Sequence, residues 1–295
     1  MRRDMYNTVI SQSQKFRFKI YSSNISLILF IILPVLFITN VMAQGNLLIS
    51  PHRVIFEGQK RVMDVNLANT GQDSAKYSIS FLQYRMTENG DFETITTPDP
   101  GQNFADKNIR FFPRSIMLGP NESQVVKLLL TKSEQLQPGE YISHLYFRAL
   151  PNQKALGEEN VKNDTASISI KITPIFGITI PVIIRVGTST TTVNITDLKL
   201  GTKDSTKQLF FTIHRTGNMS VIGDISISHI APNGRETKIG LSKNIAIYAS
   251  IPLRRLKIDV ENKASVDMSK GTIRVLFSTQ SETRPMKLAE AELLL

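Results

Sequence analysis

Alternation of apolar and polar residues with a period of two is the feature that most restricts this chain. In the stretch "ISIKITPIFGITIPVIIR", Ile168 to Arg185, the even positions Ile168, Ile170, Ile172, Phe176, Ile178, Ile180, Val182 and Ile184 are large and apolar, interrupted only by Pro174. The odd positions are mostly small or polar: Ser169, Lys171, Thr173, Gly177, Thr179 and Pro181, with Ile175 and Ile183 as exceptions. The same rhythm recurs in Met63, Val65 and Leu67, in Tyr77, Ile79 and Phe81, and in Ile225 and Ile227. Successive side chains of a strand point to opposite faces, so such a pattern builds half-buried strands. No long segment carries the period of a helix.

Clusters of Gly, Pro, Asn and Asp punctuate these runs at short intervals, which predicts all-β sandwiches rather than alternating strands and helices. A weak internal repeat predicts two of them. "NTG" at Gly71 and "RTGN" at Gly217 each end a run, and each is followed by a second run and an Asn-Gly turn, at Asn89-Gly90 and Asn233-Gly234. Asn-Gly between alternating runs is the signal of a type I′ hairpin, which needs positive φ at both residues. Apolar density drops at "VGTSTTT", Val186 to Thr192, so the expected division is 44–186 and 187–295. The polar loop 152–164 directly precedes the long alternating stretch.

Ahead of both halves stands a basic leader with Arg2, Arg3, Lys15, Arg17 and Lys19, then an apolar run from Leu27 to Ile38 and the small-residue site "VMA". This is the pattern of a secretory signal peptide, 1–43, cut after Ala43. The run is too short for a membrane-spanning helix, which needs about 20 residues. Removing the leader lowers the formal net charge from +10 to +6, without any dense Lys/Arg block. That is a solubility feature and not a nucleic-acid footprint. There is no cysteine, hence no disulfide framework, thiolate metal site or cysteine nucleophile. The expected location is the periplasm.

His52, His144, His214 and His229 form no metal-ligand spacing, and no serine stands in a nucleophile elbow. No phosphate-binding loop or dinucleotide fingerprint is present either. Neither catalysis nor a cofactor is expected, nor a small-molecule substrate or a nucleic-acid partner. His144, inside "EYISHLYFRAL", reads as a packed side chain.

Three segments carry a resemblance: "RVIFEGQK" (Arg53 to Lys60), "LGPNESQVVKLLL" (Leu118 to Leu130) and "EYISHLYFRALP" (Glu140 to Pro151). Their order and spacing are similar to those of the PapD-like periplasmic chaperones of chaperone–usher pilus assembly. The resemblance implies two immunoglobulin-like β-sandwich domains set at an angle. It also implies donor-strand complementation: an edge strand near 166–185 is lent to a pilus, fimbrial or other surface-fibre subunit until an outer-membrane usher takes over. Main-chain hydrogen bonds give such pairing its affinity and alternate side chains fill pockets.

Carried over residue by residue, the resemblance makes Ile168, Ile170, Ile172, Phe176 and Ile178 the subunit-binding zipper. Arg53 becomes the cleft base for the subunit's terminal carboxylate, and Glu140, Arg185 and Glu282 an interdomain ion-pair group. Pro181 stands where the family keeps a second cleft base, a lysine four positions before Arg185. The alternatives are a structural or adhesive Ig-like surface protein and a PapD-like module without a pilus client. In either, the same even-numbered residues are ordinary inner-face side chains. A strand edge free to pair, with Arg53 facing the same cleft, separates these readings.

Overall fold

The computed structural model describes residues 47–151 and 175–295, apart from Ser205, Asn262, Ala264, Ser265 and Glu282. Within that range it is an all-β molecule of two immunoglobulin-like sandwiches. In the first, one sheet runs in the order β1 (Leu47–Ser50), β3 (Val62–Asn69), β9 (Ser123–Leu130), β7 (Ile109–Phe112). The facing sheet runs β2 (Val54–Phe56), β11 (Gly177–Val186), β10 (Gly139–Leu150), β4 (Ala75–Leu82), β8 (Ser115–Leu118). A hairpin of β5 (Tyr84–Met86) and β6 (Phe92–Thr94) stands apart from both sheets.

The second sandwich pairs β12 (Thr192–Lys203), β13 (Thr206–Thr216) and β16 (Leu253–Val260) in one sheet. The other is ordered β15 (Glu236–Ile247), β14 (Val221–Ile230), β17 (Thr272–Ser278), β18 (Lys287–Leu294). No strand before Val186 pairs with one after Thr192 among the described residues.

The alternation sorts side chains as strand geometry requires. Val65 and Leu67 are inside while Asp64 and Asn66 face out, and Ile225 and Ile227 are fully buried. Phe56, Leu67, Leu128, Leu145, Phe147, Val182 and Ile184 fill the first core. Leu209, Phe211, Ile213, Ile227, Val275 and Phe277 fill the second. β10 breaks the alternation because both its faces are covered, Leu145 and Phe147 by the first core and Ile142 by the second.

Both Asn-Gly turns differ from the type I′ expectation in the same way. Gly90 (φ 89°) and Gly234 (φ 80°) are left-handed, but neither Asn89 nor Asn233 is. The amide of Gly90 donates to Thr87 O, and that of Thr87 to Asp91 O; Gly234 with Ala231, and Ala231 with Arg235, repeat the arrangement. These are three-residue loops in which a right-handed turn is closed by one left-handed glycine, so only the glycine needs positive φ.

Candidate functional site: the joint between the sandwiches and the uncovered half of β11

Three rows of side chains cross the face of the β2–β11–β10 sheet that meets the second sandwich. The register pairs Ile183 with Ile55 on one side and with Ile142 on the other. This middle row packs into the second core: Ile142 and Ile183 are buried there and Ile55 lies against it. Each buried isoleucine contributes about 1.5–3 kcal/mol through apolar surface removed from water.

One flanking row holds Arg185 and Glu140, which face each other across β11 and β10. Arg185 Nε donates to Glu140 Oε2 at 3.1 Å. The same oxygen accepts the amide of Ser220 at 3.2 Å and its hydroxyl at 2.6 Å, while Arg185 Nη2 donates to Ser220 O at 3.0 Å. Glu140 and Arg185 both belong to the first sandwich; Ser220, just ahead of β14, carries the network across. A carboxylate only 1% exposed persists here because a guanidinium and two N–H or O–H donors meet it. Glu282, the third member expected from the resemblance, lies outside the described residues.

The other flanking row holds His144, which pairs with Pro181, and Arg53, which falls beside Pro181 one step before β2. His144 is buried, and its Nε2 lies 3.0 Å from the hydroxyl of Tyr248, just past the end of β15. Tyr84 and Phe92 meet the imidazole edge-on, with centroids at 4.9 and 5.8 Å, and Tyr248 stacks at 6.0 Å. Burial pushes the imidazole pKa down to about 4, so His144 is neutral at pH 7. Burial raises the Tyr248 phenol well above its ordinary value, with the Arg53 charge opposing.

Arg53 is the unusual group. It is half-buried, its Nε is shielded from solvent without a hydrogen-bond partner, and it has no ion pair among the described residues. Burial lowers its pKa, the Tyr248 hydroxyl works against that, and the Arg185 charge adds to it. A guanidinium removed from water without a counter-charge is costly to keep.

The β5–β6 hairpin closes the joint from a third side. Met86 is buried in the second core, the Arg255 amide donates to Glu88 O at 2.7 Å, and the Arg255 and Glu88 side chains form an ion pair.

β11 itself is covered unevenly. β2 runs parallel along Val182, Ile183 and Ile184 only. The edge strand expected near 166–185 is corrected in its last part, where Val182 to Ile184 are interior to the sheet; among the described residues no strand pairs with the outer side of β11 over Gly177 to Pro181, and 166–174 lie outside the described residues. The Ala149 amide donates to Phe176 O, so the even residues of β11 direct their backbone groups to β10 and the odd ones outward. Gly177 and Thr179 thus present N–H and C=O to the open side. Pro181 sits on the same parity, where its missing N–H takes no bond from β10.

Along this open half, Ile178 pairs with buried Phe147 yet is 38% exposed, and Phe176 is 47% exposed. Ile180, two residues on, is 3% exposed inside the first core. The Tyr146 ring lies over Gly177, where any Cβ would collide with it. The zipper residues Ile168, Ile170 and Ile172 lie outside the described residues.

Of the residues singled out from sequence, Arg53, Glu140, Arg185, Phe176 and Ile178 are thus set around one joint and the strand leaving it. Ser220 and Tyr248, and the polar role of His144, had no sequence signal as a set. The nearest to one is a tyrosine just beyond the aliphatic run of Ile245 and Ile247, a side chain with an apolar body and a polar tip.

No family model matches the sequence, and no curated protein matches it. Among solved structures the chain is similar to the YadV chaperone, at 12% identity and TM-score 0.44, over 85% of this chain and 100% of that one. It is also similar to the class 5 fimbriae chaperone CfaA, at 14% identity and TM-score 0.40, over 84% of this chain and 98% of the other. The CupB2 chaperone of Pseudomonas aeruginosa matches at 10% identity and TM-score 0.39, with 84% and 98% covered.

Proposed function

We propose that this protein is a non-enzymatic periplasmic chaperone. It holds incomplete β-sandwich subunits of a pilus or other surface fibre by β-augmentation on β11 and passes them to an outer-membrane usher. The observation that carries this reading is the open half of β11: backbone groups at Gly177 and Thr179 that no strand pairs among the described residues, flanked by exposed Phe176 and Ile178. An incoming strand would bond to those groups and cover the two side chains, continuing the first core outward. Ile168, Ile170 and Ile172, outside the described residues, share the sequence parity of Phe176 and Ile178, and we assign them to the same subunit-binding set.

Three of the other sheet edges carry charge. β12 carries Lys199 and Lys203, β16 carries Arg255 and Lys257, and β18 carries Lys287, Glu290 and Glu292. Charged residues on an edge discourage pairing, and the described part of the β11 opening, Ile175 to Pro181, has none. An ordinary inner-face role for Phe176 and Ile178 is disfavoured by their exposure.

The test uses a ten-residue peptide of alternating valine and threonine, labelled for fluorescence anisotropy, and a copy N-methylated at every residue. The first is expected to bind the full chain and the second not, because methylation removes the N–H donors from both edges of the peptide strand. Equal binding of both would show that affinity comes from apolar contact alone and would defeat the β-augmentation reading.

A further inference from the structure

The sheet β2–β11–β10–β4–β8 holds four charged side chains among the described residues: Lys76, Glu140, Arg148 and Arg185. Glu140 and Arg185 pair with each other, whereas Lys76 and Arg148 have no ion pair among the described residues. Both cations lie on the face turned away from the first core. Arg148 follows His144 and Tyr146 at strand period, and Lys76 pairs with Leu150 on the same side. This end of the sheet, next to the open half of β11, therefore carries positive charge that no acid balances among the described residues.

Gly177 is the residue of β11 that faces Arg148. Its backbone groups point away from β10, so the two form a non-hydrogen-bonded pair, the kind with Cα atoms about 4.5 Å apart. The Tyr146 ring leans over the glycine from the neighbouring position. A Cβ on Gly177 would stand 2.6 Å from Tyr146 Cζ and 2.5 Å from its hydroxyl oxygen. That hydroxyl bonds to no other described residue. Glycine within a strand marks a bulge or a close approach by another group, and the β10–β11 register runs without a bulge. The glycine thus leaves a notch in the open edge of β11, roofed by a hydroxyl and backed by Arg148.

We propose that this notch admits one acidic side chain of the captured strand, at the position opposite Gly177. Neighbouring strands lie about 4.8 Å apart, so a glutamate there can lay its carboxylate over the glycine, where no side chain of β11 intervenes. Tyr146 then donates its O–H and Arg148 its N–H groups, in charge-assisted hydrogen bonds that fix geometry as well as adding affinity. The captured strand is read on both faces: apolar toward Phe176 and Ile178, acidic at one site on the other. The inference rests on the strand-capture reading and adds which sequence this edge prefers.

The test replaces one central threonine of the alternating peptide by glutamate, glutamine or lysine and measures anisotropy with the full chain. A slide of two residues keeps the valines on one face, so the replaced position can settle opposite Gly177. Glutamate should bind about fivefold more tightly than glutamine, the upper range of an opposite-charge cross-strand pair, and lysine more weakly than glutamine. Arg148→Gln should erase the glutamate margin, and Tyr146→Phe should reduce it. Gly177→Ala, whose methyl group must displace the ring, should close the notch and erase the margin too. Lys257→Gln, on the second sandwich, makes the same change of net charge and should keep it. A margin that survives Arg148→Gln or Gly177→Ala overturns the proposal. So does a margin that falls equally in Lys257→Gln, which would trace the preference to net charge alone. Equal binding of the glutamate and glutamine peptides overturns it as well and leaves strand capture standing. If no peptide binds, the unsubstituted one included, strand capture fails and the notch falls with it.

Discussion

Arg53 and His144 stand on either side of Pro181, and burial lowers the pKa of both with different consequences. His144 escapes the cost of burial by staying neutral; Arg53 has no such route, because a guanidinium does not deprotonate in proteins. Arg53→Ala is therefore expected to leave thermal stability unchanged or slightly higher, while peptide affinity falls about tenfold or more. A clear loss of stability with unchanged affinity would make Arg53 a structural residue. For His144 the folded pKa of about 4 lies below the unfolded value of 6.5. The unfolded chain thus takes up a proton first as the pH drops. Stability is complete above about pH 6.5 and declines as the pH falls toward 4. Between pH 7.5 and pH 5 the expected loss is about 2 kcal/mol in urea unfolding, and His144→Phe should remove that part of the slope. A pH profile identical in the variant would refute the assignment.

At the scale of the element, β11 is one strand with two environments. Ile178 and Ile180 share a face and differ by two positions, yet only Ile180 is enclosed. Ile180→Lys places an unpaired charge in the first core and should cost about 3 kcal/mol or more. Ile178→Lys should fold with a near-unchanged melting temperature and lose peptide binding. Equal destabilisation by both would mean that the strand is closed along its whole length. The parity of this strand was legible in the sequence, since alternation is a local property. Where β2 ends was not legible, because a parallel pairing between Val54–Phe56 and Val182–Ile184 leaves no local trace. The Asn-Gly turns were found in the right places but with the wrong geometry, because one left-handed glycine closes a three-residue loop as well as two positive φ angles close a shorter one.

At the scale of the molecule, the isoleucine row makes the first sandwich part of the second core. Ile183→Asp should uncouple the halves, so that a single urea transition becomes two, with the second sandwich unfolding first. One unchanged transition would assign cooperativity to the Glu140–Arg185–Ser220 network or to the β5–β6 hairpin instead. The ion pair was accessible from sequence only through resemblance. Ser220 and Tyr248 were not, because they meet Glu140 and His144 across 80 and 104 residues of chain. The central claim is that the open half of β11 receives a strand. Amide hydrogen exchange on the full chain, with and without the alternating peptide, measures this most directly. Gly177 and Thr179 should gain protection on binding, and Ile178 and Ile180, already bonded to β10, should change little. Bound peptide with Gly177 and Thr179 still exchanging freely, or protection appearing at β8 or β18 instead, would contradict it.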